Sequence, residues 1–275
     1  MMEAKRNPDT MQRLGQHFLK NRSALRLIAD SIASKEEDLV VEVGPGHGEL
    51  TEFLKAAGKR VVAIEKDRKL YDALAEKFGG DPRMTFVAGD ARDVLPTVVH
   101  DISGQGINYH VVGNIPYYIT GQLMRIVGDL EPRPESCIFT IQKEVAERIC
   151  AAPPRMNRLA ASVQFWAEPS ILKVLKASDF MPPPKVDSAI LLLKTSPPKK
   201  VEGDYYAAVR ALFAQPRKTI GNNIAAGTGK SGKIVADELS PITIDHSARP
   251  QDLSIKDIWT IADTFFKNIP SRKSQ

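Results

Sequence analysis

The sequence has few of the features that mark secreted or membrane proteins. Only two of its 275 residues are cysteines, Cys137 and Cys150, which excludes a disulfide scaffold. No apolar run approaches the roughly 20 residues needed to cross a bilayer, and the N-terminal residues lack the apolar core of a secretory signal. We therefore expect a cytoplasmic protein with two reduced thiols and no membrane partner.

What is present is the composition of a folded globular protein. Hydrophobic residues make up 43% of the chain and charged residues 26%, which excludes a largely disordered chain. A length of 275 residues fits one large domain, alone or with a small companion. None of the histidines is spaced with cysteines or acids as metal ligands are, so no metal site is expected.

The positive charge is concentrated at the two ends of the chain. The net charge is +5, from 38 Lys and Arg against 33 Asp and Glu. Residues 1–26 and residues 196–275 each carry an excess of four positive charges, which leaves the middle of the chain slightly acidic. This distribution predicts a polyanionic partner that contacts both ends. A basic surface with no specific partner is the alternative.

Short apolar segments alternate with amphipathic ones over the first two thirds of the chain. Strands are predicted at 39–43, 60–64, 84–88, 110–112, 137–141 and 186–193. Helices are predicted between or before them at 23–34, 49–57, 68–78, 119–130 and 143–150. Buried strands that alternate with helices predict a Rossmann-like α/β fold, with a parallel sheet covered on both faces.

A proline-rich linker near residue 197 separates this region from a helical one. Helices are predicted after it at 205–214, 219–226, 232–239 and 254–266. We therefore expect a catalytic domain at 1–195, with a basic N-terminal arm or lid at 1–38, and a small helical domain at 196–275.

A glycine-rich turn follows the first predicted strand. It contains Gly44, Gly46 and Gly48, and Glu65 stands 21 residues after Gly44 at the end of the next strand. Glycines let the backbone approach a ligand closely, and an acid at that strand end can accept both hydroxyls of a ribose. The arrangement predicts a nucleoside-binding half-site.

The spacing of the glycines argues against a dinucleotide. A dinucleotide site has the pattern G-x-G-x-x-G, but here Glu49 occupies the position of the last glycine. A carboxylate there competes with a pyrophosphate for the amides of the helix. S-adenosylmethionine, which has a ribose and an adenine but no phosphate, fits better. Asp90 and Ala91 follow the third strand and are expected to bind the adenine, although Asp90 alone could be a helix N-cap.

The fourth predicted strand ends in an unusual tetrapeptide, formed by Asn114, Ile115, Pro116 and Tyr117. The Asn114 side chain and the Ile115 carbonyl could each accept one N–H of an exocyclic amine such as adenine N6. Those bonds would make the nitrogen more tetrahedral and more nucleophilic, and Tyr117 could stack on the base. Catalysis by such a site consists of positioning and electrostatics and needs no general base.

With these residues in place, the chain resembles the ribosomal RNA adenine N6-dimethyltransferase family over nearly its full length, and in particular the bacterial small-subunit branch. The shared segments are 15–19, 42–51, 89–91, 114–117, 142–149, 180–189, 213–220 and 249–254. The resemblance implies a class I S-adenosylmethionine-dependent methyltransferase. Its substrate would be two neighbouring adenosines near the 3′ end of 16S rRNA in a pre-30S particle, methylated to N6,N6-dimethyladenosine by a monomer.

The resemblance also implies roles for individual residues. Those expected to line the cofactor pocket, the first two from the N-terminal lid, are His17, Leu19, Gly44, Glu65, Asp90 and Asn114. Phe180 would be a second aromatic face opposite Tyr117, although without the resemblance it is more typical of a core or loop aromatic. The chain departs from the family pattern at His17, where Asn is frequent, at His47 and at Pro216.

Several basic side chains are candidates for contacts with RNA phosphates. They are Arg13, Lys20, Arg22, Arg26, Arg217, Lys218 and Lys230. Each alone is equally typical of a solvated surface charge, but together they predict RNA binding that depends steeply on salt. The chain has no signature of a known RNA-recognition module, so recognition would depend on shape and on the basic helical domain.

Three other functions remain open. A related large-subunit rRNA methyltransferase of the macrolide-resistance type would use the same pocket. A non-catalytic rRNA-binding assembly factor would keep the fold, but the intact Glu65 and the segment 114–117 argue against lost activity. A nicotinamide oxidoreductase is disfavoured by the glycine spacing.

Overall fold

The computed structural model describes residues 17–32, 39–103, 108–197 and 202–267. The chain divides into two compact units, one of residues up to Ala146 with Pro169–Thr195, the other of Glu147–Glu168 with the residues from Ser196 onward. The helical unit therefore also contains Glu147–Glu168, which the sequence analysis places in the first domain. A single boundary near residue 195 does not describe this division.

A seven-stranded sheet forms the centre of the first unit. Its strands are β2 (Leu39–Val43), β3 (Arg60–Glu65), β4 (Met84–Ala88), β5 (Tyr109–Asn114), β6 (Ser136–Gln142), β7 (Ala167–Leu175) and β9 (Ser188–Thr195), in the order β4-β3-β2-β5-β6-β9-β7. The pairs from β4 to β6 are parallel, as predicted. In contrast, β9 is antiparallel to β6, and β7, which was not predicted, takes the edge. The α/β fold is confirmed, but the sheet is mixed.

Helices flank these strands along the chain. They are α1 (Arg22–Asp30), α2 (Glu49–Ala56), α3 (Arg68–Phe78), α4 (Ala91–Ser103), α5 (Thr120–Asp129) and α6 (Lys143–Ile149). Several begin at the capping residues that the sequence provides. The side chain of Asp67, for example, accepts hydrogen bonds from the amides of Lys69 and Leu70 at the start of α3.

A short two-stranded sheet lies apart from the main one. It pairs β1 (Phe18–Leu19) antiparallel with β8 (Phe180–Met181), so that Leu19 lies opposite Phe180. The backbone amide of Lys20 adds a hydrogen bond to the Asp179 carbonyl. The start of the described chain is thereby tied to the segment before β9.

The core of the first unit lies on the buried strands. All five residues of β2 are buried, as expected of a strand covered on both faces. Val40, Ile138 and Ile190 belong to one apolar cluster with buried residues of α1 and α2.

The second unit has its own apolar core. Its helices are α7 (Arg158–Gln164), α8 (Tyr205–Leu212), α9 (Ile220–Thr228), α10 (Gly232–Leu239) and α11 (Ile255–Phe265). Fully buried aliphatic residues of α8, α9 and α11, among them Leu212, Ile224 and Ile258, pack together. Within the described part of the chain, no helix is long and apolar enough to cross a membrane.

Candidate active site

A cavity of about 250 Å³ opens at the carboxyl ends of β2, β3, β4 and β5. Ligands of open α/β sheets bind at this edge. The residues predicted for the site that line this cavity are His17, Gly44, Gly46, Glu65, Asp90, Ala91, Asn114, Ile115 and Pro116. The structure thus brings together most of a site that the sequence distributes over 100 residues.

The glycine turn shapes one wall of the cavity. Gly46 has a φ of +63°, and a Cβ there would stand 2.6 Å from the ring of Phe18. Gly48 has a φ of +86° and begins α2, where a Cβ would meet Phe78 at 2.7 Å. Gly46 therefore lines the cavity, whereas Gly48 permits close packing of α2 against α3.

Backbone amides hold the carboxylate of Glu65 in place. The Gly46 amide donates to Oε2 at 3.2 Å, and the Asp67 amide donates to Oε1 at 2.8 Å. Burial raises the pKa of Glu65, although these hydrogen bonds oppose the shift. Each oxygen keeps acceptor capacity towards the cavity, so the carboxylate is oriented to accept hydroxyl groups.

Asp90 is already occupied by two cationic neighbours. Arg92 donates to it through Nε at 2.9 Å and through a terminal nitrogen at 2.6 Å, and Lys66 donates through Nζ at 2.9 Å. The side-chain hydrogen bonds from Arg92 and Lys66 hold the pKa of Asp90 well below its usual range. An adenine amino group that binds Asp90 must share the carboxylate with these donors or displace one of them. Lys66 is the more exposed, at 61%. Neither cation was part of the predicted site.

The Asn114 side chain is fixed by the backbone at β1. Asn114 is the last residue of β5, and its Nδ2 donates to the carbonyl oxygen of His17. The His17 ring in turn donates from Nδ1 to the Pro182 carbonyl at 2.8 Å. With Nδ2 used in this way, the atom that Asn114 can offer to a ligand as an acceptor is Oδ1.

The two tyrosines after Pro116 have different surroundings. The hydroxyl of Tyr117 is 2.8 Å from the Ser188 hydroxyl, its ring centroid lies 5.9 Å from that of His17, and burial raises its pKa. Tyr118, which the sequence analysis did not select, lines the cavity and is 65% exposed. Tyr117 is thus held beside the cavity, and Tyr118 stands at its mouth.

Two predicted site residues lie in the apolar core. Phe180 is 1% exposed and Leu19 is 3% exposed, and both pack in the cluster that includes Leu25 and Ile28. Leu19 borders a small separate cavity together with Glu42 and Asn114. Phe180 lines neither of these two cavities.

The basic residues proposed for RNA are distributed over both units. Arg13 lies outside the described residues. Lys20, Arg22 and Arg26 are exposed around the start of α1, and Arg217 and Lys218 are exposed before α9. Lys230 is instead paired with Glu238 at 2.6 Å, so its charge is already matched.

Glu42 is a buried acid close to the site that motif reasoning did not select. It is 1% exposed, and the Thr51 hydroxyl donates to its Oε2 at 2.7 Å. Burial raises the pKa of Glu42 to about 8, despite the opposing Thr51 hydrogen bond and with a further contribution from nearby Glu49 and Glu65. The sequence contained one signal for this residue, because Glu42 is an acid within an otherwise apolar strand. Within the described ranges, no three His, Cys, Asp or Glu residues are grouped as a metal site.

Comparison with known proteins identifies the family. The pattern of the ribosomal RNA adenine dimethylase family matches residues 9–267. The chain belongs to this family. It is 39% identical over 248 residues to ribosomal RNA small subunit methyltransferase A of Dehalococcoides mccartyi (strain CBDB1), covering 89% of this chain and 84% of the relative. The protein of that name from Caldanaerobacter subterraneus subsp. tengcongensis is 34% identical, covering 92% of this chain and 96% of the relative.

Solved structures confirm the methyltransferase fold of this dimethylase family member. A dimethyladenosine transferase from Plasmodium falciparum matches with a TM-score of 0.73 and 25% identity, over 88% of this chain and 94% of that one. The 23S rRNA methyltransferase ErmE matches with a TM-score of 0.70 and 23% identity, over 90% of this chain and 99% of that one. At 23% identity, the likeness to ErmE shows the fold and does not decide which ribosomal subunit is modified.

Proposed function

We propose that this dimethylase family member transfers methyl groups from S-adenosylmethionine to N6 of two adjacent adenosines near the 3′ end of small-subunit rRNA, forming N6,N6-dimethyladenosine. The observation that carries the proposal is the fixed amide of Asn114, whose Nδ2 donates to the His17 carbonyl in the cavity that also holds Glu65. The small-subunit target is supported by the names of relatives that are 34–39% identical.

The residues present fit S-adenosylmethionine. The Glu65 carboxylate, oriented by the amides of Gly46 and Asp67, is suited to the ribose hydroxyls. Glu49 lies in the first turn of α2, which disfavours a phosphate and leaves room for a ligand without one. Asp90 and the Ala91 amide, at the start of α4, are suited to the adenine. When bound, the cofactor supplies an activated methyl group on its sulfonium.

The chain contributes position and hydrogen-bond acceptors to the reaction. Asn114 Oδ1 and the Ile115 carbonyl accept the two N–H groups of the target amine, which reduces delocalisation of the nitrogen lone pair into the base. Tyr117 provides a face for the base, and its hydrogen bond with Ser188 fixes that ring. Unpaired RNA bases are commonly held by aromatic stacking. Phe180 is a buried residue of β8, the strand that pairs with β1, and it contributes by supporting this pairing from the core.

The partner in this proposal is a small ribosomal subunit that lacks the modification. Phosphate contacts from Lys20, Arg22, Arg217 and Lys218 would provide affinity that falls with salt. Nothing in this mechanism needs a second copy of the chain.

Methylation of separated ribosomal subunits tests the proposal. Purified protein is incubated with radiolabelled S-adenosylmethionine and with 30S or 50S subunits from cells that lack the modification, and the labelled nucleosides are identified. We expect dimethyladenosine in 30S RNA, a loss of at least 100-fold in rate for Asn114→Ala, and normal activity for the exposed Asn222→Ala control.

The other outcomes separate the alternatives. Label in 50S RNA would transfer the assignment to the large-subunit branch. Cofactor binding without label on either subunit would contradict the proposed substrate. A protein that binds 30S subunits but not the cofactor would be an assembly factor that has kept the fold.

A further inference from the structure

One buried amide holds the loop before α9. Asn223 is 3% exposed, in the second turn of that helix. Its Oδ1 accepts a hydrogen bond from the Gln215 amide at 3.2 Å. Its Nδ2 donates to the carbonyls of Gln215 and Thr219, both at 3.1 Å, and of Lys218 at 3.4 Å. A single side chain thus bonds to both ends of the loop.

The segment between these ends is a closed turn. The Lys218 amide donates to the Gln215 carbonyl at 2.9 Å, which is the bond that closes a four-residue β-turn. Pro216 occupies the second position, where its ring presets the φ that such a turn needs. Pro216 departs from the basic residue of the family pattern, but it stiffens the turn.

The turn presents two exposed cations, Arg217 and Lys218. Among the residues that the structure describes, no acid forms an ion pair with either of them. Some other cations of the helical unit are matched, namely Lys267 with Glu202 at 2.6 Å and Lys230 with Glu238. The turn therefore concentrates uncompensated positive charge on a rigid support.

We propose that Asn223 is a positioning residue for RNA binding, which fixes the turn 215–218 so that Arg217 and Lys218 meet neighbouring phosphates of the rRNA backbone. The inference rests on the proposed function. Its physical basis is preorganisation: a turn that is already ordered loses little conformational entropy when it binds, whereas a loose loop must be ordered by the ligand. Asn223 is too deeply buried to contact RNA itself.

Binding of unmethylated 30S subunits at several KCl concentrations tests this role. Each phosphate contact adds roughly 0.7 to 0.9 to the slope of log affinity against log salt. If the contacts contribute nothing at 1 M salt, then at 0.1 M KCl two contacts raise the affinity for 30S subunits roughly 25- to 60-fold. We expect Arg217→Ala with Lys218→Ala to remove this difference and to lower the slope by about 1.5.

The matched pair Asn223→Asp and Asn222→Asp isolates the positioning role. Both add one negative charge to α9 at adjacent positions, but Asn222 is exposed. In Asn223→Asp, an oxygen replaces the donor that faces three carbonyls, so the turn is released. We expect about a ten-fold larger loss of affinity than for Asn222→Asp, with a lower slope and unchanged cofactor binding. In the background that lacks both cations, the two variants should be equal.

Pro216→Gly provides a test that does not disturb the core. The residue is exposed, and glycine loosens the turn without adding charge. We expect an intermediate loss of affinity with only a small decrease in melting temperature, because glycine raises the conformational entropy of the unfolded chain. Equal effects of Asn223→Asp and Asn222→Asp would overturn the proposal, as would an extra loss from Asn223→Asp once both cations are gone. Unchanged affinity on removal of the cations would also overturn it. Methylation of 30S RNA is measured in a separate assay. If the wild type labels 30S RNA but these variants do not change 30S affinity, only the role of Asn223 is refuted and the proposed function stands.

Discussion

The buried carboxyl of Glu42 makes the stability of the protein depend on pH near neutrality. It lies in β2 and is 1% exposed, and burial raises its pKa from 4.5 to about 8. In the folded state the group keeps its proton up to that pH, whereas in the unfolded chain it releases the proton near pH 4.5. The folded state therefore binds more protons between these two values, and its stability falls as pH rises through this range.

The substitution Glu42→Gln removes this dependence. Glutamine is similar in shape, its Oε1 can accept the Thr51 hydroxyl as Glu42 does, and it does not ionise. Each pH unit between the two pKa values costs the wild type up to about 1.4 kcal/mol. From pH 5 to pH 8 the accumulated difference is about 3 kcal/mol. Glu42→Gln should therefore resemble the wild type at pH 5 and be about 3 kcal/mol more stable at pH 8.

Urea unfolding at pH 5, 6, 7 and 8 measures this difference. Both tryptophans, Trp166 and Trp259, belong to the helical unit, so far-ultraviolet circular dichroism is the appropriate signal for β2. The matched control is Glu52→Gln, an exposed acid of α2 that pairs with Lys77, which should follow the wild-type pH dependence. Parallel pH profiles for the wild type and Glu42→Gln would refute the reasoning, because Glu42 would then ionise alike in both states.

Two further predictions concern the cofactor pocket. Gly46→Ala places a Cβ at positive φ, 2.6 Å from the ring of Phe18, so we expect a loss of about 1–2 kcal/mol in unfolding free energy together with weaker binding of S-adenosylmethionine. Thermal melts and calorimetry measure these effects, and unchanged values would contradict the close approach. Arg92→Ala should weaken cofactor binding more than Lys66→Ala, because Arg92 orients Asp90 through two side-chain bonds, whereas Lys66 makes one and is the exposed donor that an adenine amino group can displace. Equal affinities of the two variants would contradict that order.

The regular part of the fold could be predicted because its signals are local. The apolar run of β2 and the helix α3, capped by Asp67, lie at the predicted residues. β7 was missed because it is partly exposed along most of its length and contains Pro169, so it has neither an apolar run nor a clean alternation. The antiparallel direction of β9 could not be predicted either, since the sequence of a strand does not show whether its neighbour in the sheet runs parallel or antiparallel to it.

The site was predictable in its outline but not in its contacts. Motif spacing placed Glu65, Asp90 and Asn114 at successive strand ends, and the structure brings all three to one cavity. The pairing of Asp90 with Lys66 depends on how two loops meet, and nothing in the motifs shows it. The motif pointed to Tyr117, but it is the next residue of the 3₁₀ turn at 117–119, Tyr118, that lines the cavity.

At two of the positions where the chain departs from its family pattern, residues 17 and 216, the backbone provides the contact. At residue 17, Asn114 binds the carbonyl oxygen, which any residue supplies, and the histidine ring adds a bond to Pro182. At residue 216, the essential element is the turn closed by its neighbours, and proline is well suited to it. At Glu65 and Asn114, where the proposed function requires a side-chain atom to meet the ligand, the chain keeps the residues that carry its family resemblance. Residues 17 and 216 thus support the proposed site through main-chain geometry, whereas Glu65 and Asn114 depend on their side-chain atoms.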